Sequence, residues 1–536
     1  MFSPSGQTVY DIIFHEATIF DGSGDSPFIG NLAIEGDSIA AVGPTSLSGA
    51  RRDIDAAGMA LSPGFIDIHG HSDYYLLMNP TAEAKVRQGV TTDVGGNCGY
   101  AAAPIGGLEV EERREFYREQ FGLEIPFLRL DEYLNHVESV GVSVNYAPLI
   151  GHNTIRASVM GGSDRVASPD DLAQMDRMVD EGMRDGAFGI STGLVYAPAC
   201  FADREELTAL CRTSARYGGL FATHMRSEGV QLLEAINEVI GIARDAELPL
   251  QISHLKTAGE KNWDKLDAAF ELIEGARSLG QDVTCDRYPY IASNTHLSAL
   301  LPDWVHNGQT DEKIARLQDS ETRIRICSEL KEKYPDPIYW NRVLISRVLT
   351  DENRFCEGMT VGKLAEKRRV EPVEAMMDLL VDEKLTVEIL IFMMSEKNMR
   401  RVLEKPYVMV GSDSAALTHE PPLGAGKPHP RNFGTFPAVL GNFSRDEGLF
   451  SLSEAIRKMT SAPCDRLGIK NRGRLAAGMK ADVVLFDPEK IRDTTTYESP
   501  VSYPSGIEMV LVNGVVVIDS GEHTDARSGC ALRRQG

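Results

Sequence analysis

Six residues of this chain combine metal-binding side chains with positions at the ends of short apolar runs. FIDIHGHSD carries His69 and His71 two residues apart, which puts both on one side of an extended strand. GGNCG sets Cys98 at the end of a second run, ATHMRSEG places His224, ISHLK places His254 and VGSDSA places Asp413. Imidazoles, a thiol and a carboxylate make up the mixed N, S and O donor set that borderline-soft zinc takes. Its catalytic sites use three protein ligands and leave a position for water. A lone histidine at a strand end is more often satisfied structurally, and His15, His136, His306 and His523 are read in that way. An H-x-H pair followed by single histidines on two consecutive later runs is a metal pattern.

For these residues to meet, the runs that bear them must be parallel strands opening at one end. The middle of the chain supplies eight such runs: FIDIHGH, GVTTDVGGNC, VNYAPLIGHN, GAFGISTG, GLFATHMR, LQISHLK, DVTCDRYPY and YVMVGSD. Helical patterns separate most of them, such as SPDDLAQMDRMVDEGMRDG with its Ser-Pro-Asp start and glycine stop. The alternation predicts an α/β fold, a (β/α)8 TIM-like barrel whose site lies at the C-terminal ends of the strands, with a doubly wound sheet as the competing arrangement. The stretch within about 291–400 exceeds an ordinary connection and reads as an insertion before the eighth run. Short β-rich pieces bounded by Gly or Asp-Gly occupy both ends of the chain (DIIFHEATIFDG and NLAIEGDSIAAVG, then ADVVLFDPEKI and EMVLVNGVVVIDSG). They predict one small β-sandwich domain from residues 1–62 and 475–536, flanking a barrel at 63–474.

The 536 residues carry a net charge of −23, an acidity that disfavours phosphate backbones and so excludes nucleic acid as a partner. No window approaches the roughly 18 continuous apolar residues of a membrane span, so no membrane association is expected. The opening MFSPSGQTVYDIIFHEA lacks the basic-then-apolar order of a signal peptide. Eight cysteines without paired spacing read as reduced thiols of a cytoplasmic protein.

P-G-F-I-D-x-H-x-H, the single histidines on runs five and six, the aspartate on run eight and the tail G-x-L-x-x-G-x-x-A-D-V-V (Gly473 to Val484) resemble the amidohydrolase superfamily. Within it, G-V-T-T-D-V-G-G-N-C-G, G-I-S-T-G-L-x-Y, T-H-M-R, I-S-H-x-K, Y-P-Y and H-P-R-N-F-G-T-F are similar to the N-acyl-D-amino-acid deacylases, or D-aminoacylases, from about residue 10 to 520. The resemblance implies a barrel of the metal-dependent hydrolase type that hydrolyses N-acyl-D-amino acids to a D-amino acid and a carboxylate. It also implies one zinc held tightly by Cys98, His224 and His254, with His69, His71 and Asp413 around a second, weaker position. Many binuclear relatives bridge their metals with a carboxylated lysine on the fourth strand. The fourth run here, GAFGISTG, has no lysine, and a metal-bound thiolate at Cys98 supplies the missing negative charge.

In such a site zinc acidifies water toward a pKa of ~7 and polarises the scissile carbonyl. Asp413 accepts the water's proton and returns it to the amine leaving group. Lys256 and Arg226 each follow a ligand histidine by two residues and are expected to face the site, where a cation suits a substrate α-carboxylate. In similar enzymes the lysine of S-H-x-K and the first tyrosine of Y-P-Y, here Lys256 and Tyr288, hold that carboxylate. Tyr196 and Arg431 are further candidates, and a structural ion pair is the alternative for Arg226 and Arg431. Arg287 stands where a small residue is common in such enzymes; a surface position and an effect on side-chain preference are both open. Trp304 and the surrounding LSALLPDWV are apolar enough to cover a bound acyl chain, with packing on the barrel flank as the alternative. The competing functions are another C–N hydrolase, acting on a cyclic amide or a dipeptide, and a catalytically silent scaffold.

Overall fold

The computed structural model describes residues 10–534. The signal-peptide expectation rests partly on residues 1–9, which lie outside the described residues. Eight parallel strands make the barrel: β1 (Phe65–Asp67), β2 (Val90–Gly95), β3 (Asn145–Pro148, continued as Ile150–Gly151), β4 (Gly189–Gly193), β5 (Leu220–His224), β6 (Leu250–Ile252), β7 (Val283–Arg287) and β8 (Val408–Val410). Each coincides with one of the eight runs read from sequence. They are buried on both faces, which is why they read as apolar runs and not as alternating patterns. Asn145–Pro148 pairs with β2 and Ile150–Gly151 with β4, so β3 joins a three-stranded and a six-stranded portion of the wall.

Helices such as Pro169–Arg184 cover the outside. There Ser168 accepts from the Asp171 amide, Asp171 reciprocates in a capping box, and proline fills the first turn. Met175, Val179 and Met183, four apart, give the helix its buried stripe.

The wall closes between β8 and β1 by unusual means. One parallel bridge, Gly70 to Ser414, joins them, with Asp413 N donating to His69 O (2.7 Å) and His71 N to Ser414 O (2.8 Å). Beneath it lies a sealed charge cluster. Lys85, 0% exposed, donates to Asp67 Oδ2 (2.6 Å) and Ser414 O (3.0 Å) and stands 3.2 Å from Asp93 Oδ1. Asp67 in turn accepts from the Ser412 amide (2.9 Å) and the His69 amide (3.2 Å). The ammonium therefore ties the strand that bears the H-x-H pair to the one that bears Asp413. Lys85→Met strands two buried carboxylates, and about 3–5 kcal/mol of stability is expected to go with the broken pair. Urea unfolding measures it; a loss under ~1 kcal/mol would mean that the carboxylates find other partners.

Strands from both ends of the chain share one nine-stranded sheet. Ala60–Pro63 pairs antiparallel with Val483–Phe486, and Ile12, Phe14, Leu32 and Ile34 share a core with Val483, Leu485 and Leu511. The chain then leaves this sheet: Gly529 bridges to Val142 and Ala531 to Tyr146, so the last described residues run against the barrel.

The insertion is ordered. Ala292–His296, Glu388–Phe392 and Val343–Arg347 form an antiparallel sheet with Glu388–Phe392 central. Leu297, Leu300, Leu301 and Val305, expected to cover an acyl chain, are instead buried in the insertion's own core with Ile326, Leu330 and Met376. Trp304 donates from Nε1 to Glu329 (2.8 Å) under the Arg325 guanidinium. The insertion is fastened to the loops after β3, β4, β6 and β8, through Gly308 N to Gly162 O (3.1 Å), Thr295 to the Tyr196 hydroxyl (3.1 Å), Trp263 Nε1 to Met393 O (3.1 Å) and Lys427 N to Ser346 O (2.7 Å). Anchored on several sides, it is expected to give the same proteolytic fragments with and without bound product. Ligand-dependent protection would show that the segment opens.

Candidate active site

The six sequence-selected residues converge at the C-terminal mouth of the barrel. Around Cys98 Sγ stand His69 Nε2 at 3.3 Å, His254 Nε2 at 3.6 Å and His224 Nδ1 at 3.8 Å. Asp413 Oδ1 lies 3.5 Å from His69 Nε2 and 2.9 Å from His71 Nε2. Local backbone geometry brings them in. Gly96, at φ +76°, turns the chain after β2, and a Cβ there would come within 2.1 Å of Leu149 O. Cys98, His254 and Asp413 adopt φ of +51°, +36° and +53°, a region costly for residues with side chains. Three such residues in one cluster, at about 1–3 kcal/mol each, put the strain where the chemistry is.

Charge in the cluster is matched. Burial pushes the Cys98 thiol up, but the neighbouring His69 and the bonds to His224 and His254 outweigh it and hold the group well below the usual thiol range, as a thiolate. Burial likewise opposes ionisation of Asp413, and the Arg431 guanidinium, His254 and His71 reverse this, keeping the carboxyl well below its ordinary range. For His71, burial lowers the pKa and the Asp413 bond raises it, with a net rise to about 9. A thiolate, a carboxylate and imidazole nitrogens facing one point form the donor set that zinc requires, so the residues present fit the metal.

Two carboxylates of this site escaped the sequence reading. Asp286 on β7 accepts from His69 Nδ1 (3.0 Å), the His254 amide (2.8 Å) and Gln251 (2.8 Å). Glu228 Oε1 lies 2.9 Å from His254 Nδ1 and its Oε2 3.8 Å from His224 Nε2. Asp286 was detectable as a charged residue inside a buried strand. Glu228 sits in a loop and offered no comparable signal. His224, Glu228 and His254 also form a metal-capable trio, but the Lys256 ammonium is bonded to Glu228 and fills that space with positive charge.

Of the residues expected to bind substrate, four lie at the site. Lys256 is buried, bonded to Glu228 and 2.7 Å from His254 Nδ1. Tyr288 is buried, and its hydroxyl has no partner among the described residues. The Tyr196 ring lies edge-on to His224 with centroids 5.1 Å apart. Arg431 Nη1 pairs with Asp413 Oδ2 at 2.7 Å, the ion pair held open as its alternative.

Arg226 is not brought to the cluster. It binds Glu238 (3.0 Å), Cys200 O (2.7 Å) and Ala202 O (3.1 Å), because β5 ends at His224 and strand alternation no longer governs two residues later. Arg287 is buried, not on the surface, and its guanidinium stacks 4.3 Å from the Tyr288 ring centroid. His152 pairs with Glu206 (2.7 Å), which also holds Arg156, and serves the fold.

Known proteins resemble this chain over nearly its whole length. D-aminoacylase of Alcaligenes xylosoxydans xylosoxydans is 35% identical over 532 residues, covering 99% of both chains. A solved D-aminoacylase superposes with a TM-score of 0.83 at 34% identity over 98% of this chain and all of that one. The N-acyl-D-glutamate deacylase of Bordetella bronchiseptica, solved with zinc and a phosphonate that mimics the tetrahedral intermediate, superposes with a TM-score of 0.82 at 29% identity over 98% of this chain and 100% of that one. The model of the amidohydrolase family matches residues 52–518, a span that holds the whole barrel, the insertion and every residue of the donor cluster. With the family model matching most of the chain and D-aminoacylase similar along its full length, the chain belongs to the amidohydrolase family.

Proposed function

We propose that this protein hydrolyses the amide bond of N-acyl-D-amino acids with zinc, releasing a D-amino acid and a carboxylate. The observation that carries the reading is the Cys98-centred donor cluster with Asp413 beside it, in a chain similar over its full length to D-aminoacylase. Cys98, His224 and His254 would hold the tight zinc, and His69, His71 and Asp413 flank a second, weaker position. When bound, zinc supplies Lewis acidity toward the scissile carbonyl and acidifies water.

The chain's own groups do the rest. Asp413, fixed by His71 on one oxygen and Arg431 on the other, accepts a proton as water attacks and delivers it to the departing amine nitrogen. Lys256 and the unpartnered Tyr288 hydroxyl receive the α-carboxylate. With carbonyl and carboxylate both fixed, the side chain has one direction left, which distinguishes enantiomers. The eight cysteines are all free, as in a reducing compartment, which supports a cytoplasmic location.

Amine release from paired N-acetyl-D- and N-acetyl-L-amino acids tests the function. Turnover is expected in the D-series; preference for the L-series, or turnover of cyclic amides alone, would overturn the reading. Lys256→Met tests the anchor. A charge-assisted contact of about 1.5–3 kcal/mol corresponds to a KM increase of roughly 10- to 100-fold for acyl-D-amino acids. An analogue with an amidated carboxylate should lose much less, and equal losses on both would make Lys256 structural.

A further inference from the structure

The geometry points to Glu228 as a positioning residue that sets zinc affinity by backing the ligand imidazole of His254 and placing negative charge near that of His224, without itself touching the metal. This rests on the tight-site reading above. His254 turns Nε2 toward Cys98 Sγ (3.6 Å) and Nδ1 toward Glu228 Oε1 (2.9 Å). His224 does the converse, with Nδ1 toward Cys98 (3.8 Å) and Nε2 toward Glu228 Oε2 (3.8 Å). The two nitrogens of an imidazole point away from each other, so a carboxylate beside the far nitrogen of His254, and near that of His224, stands behind the metal position.

Such a partner favours one tautomer of His254: a proton held on Nδ1 leaves the Nε2 lone pair on the Cys98 side free for zinc, while at 3.8 Å from His224 Nε2 the carboxylate acts on that ring only as a nearby negative charge. For His254 this matters, because Lys256 Nζ lies 2.7 Å from the same Nδ1. An ammonium donating to Nδ1 would force the ring proton onto Nε2, the nitrogen that must bind metal. Glu228, bonded to the lysine and with Oε1 2.9 Å from the ring nitrogen, gives the ammonium another acceptor and offers Nδ1 an acceptor of its own. His69 Nδ1 is backed by Asp286 (3.0 Å), which also accepts from the His254 amide (2.8 Å), so Glu228 is the carboxylate that faces the His254 ring itself.

Zinc dissociation constants, measured by competition with a chromophoric chelator on the full-length protein, test the inference. Glu228→Ala is expected to weaken tight zinc binding by about 10- to 100-fold, the usual effect of removing such a partner. Glu228→Gln keeps an acceptor oxygen for His254 but loses the charge, and should fall between the parent and Glu228→Ala. The same titration on Cys98→Ala separates the two layers of the argument. If Cys98→Ala loses zinc while Glu228→Ala and Glu228→Gln both stay within threefold of the parent (about 0.7 kcal/mol), the inference about Glu228 fails and the site stands. If Cys98→Ala keeps tight zinc, the site reading itself fails. Should circular dichroism show Glu228→Ala unfolded, Glu228→Gln decides alone: unchanged affinity overturns the inference, and weakened affinity in a folded protein supports it.

Discussion

Asp413→Asn is expected to lower turnover at least ~10²-fold, the usual loss when a general acid–base is removed, while the protein folds and retains its tight zinc. The structure separates these outcomes. Asp413 sits at φ +53°, a conformation that asparagine tolerates as well as aspartate, so the substitution adds no backbone strain. The amide can keep its oxygen on Arg431 Nη1, where Oδ2 now lies at 2.7 Å, and present its nitrogen to His71 Nε2 at the 2.9 Å position of Oδ1. Packing and the left-handed turn are then preserved, and the one property removed is the capacity to take up and release a proton. KM for an acyl-D-amino acid should change little, because Lys256 and Tyr288, the proposed carboxylate anchor, are untouched. A variant with near-normal kcat would place the proton transfer on another group, with His71 the first to test.

Much of this site was legible because the barrel writes itself into sequence in a simple way. Strands buried on both faces appear as apolar runs, and a polar residue at the end of such a run, as with His224 or Asp413, marks the mouth. The reading fails where strand geometry stops. Arg226 was assigned to the pocket by counting two from His224, but β5 ends at that histidine and the chain carries the guanidinium to the carbonyls of Cys200 and Ala202. The same count led to Lys256, which does reach the site, through the left-handed turn at His254 and not through alternation. Glu228 was invisible because its role depends on which nitrogen of His224 and His254 faces inward, a torsional fact that no spacing encodes. What the apolar stretch of the insertion packs against was illegible for a similar reason: residues such as Leu297 and Val305 announce burial, but periodicity does not say against what.

Cys98→Ala should cost the protein both its tight zinc and its activity. Sγ is the atom that the imidazoles of His69, His224 and His254 all approach, at 3.3 to 3.8 Å, and it carries the thiolate charge of the cluster. β4, Gly189–Gly193, offers no lysine to provide an alternative bridging anion, and Asp413 is already committed to Arg431 and His71. Removing the thiolate leaves neutral nitrogen donors facing a divalent cation, without the anionic ligand that completes a three-ligand zinc site. Alanine at φ +51° bears the same backbone strain as cysteine, so the fold should survive and the comparison remain one of metal binding. Elemental analysis after dialysis against metal-free buffer gives the answer directly. The parent should hold one equivalent and the variant essentially none, and added zinc should not restore turnover at concentrations that saturate the parent. A full equivalent retained by Cys98→Ala would make the histidines sufficient, and the low pKa of the thiol would then be an effect of the neighbouring imidazoles and not a sign of the metal's anchor.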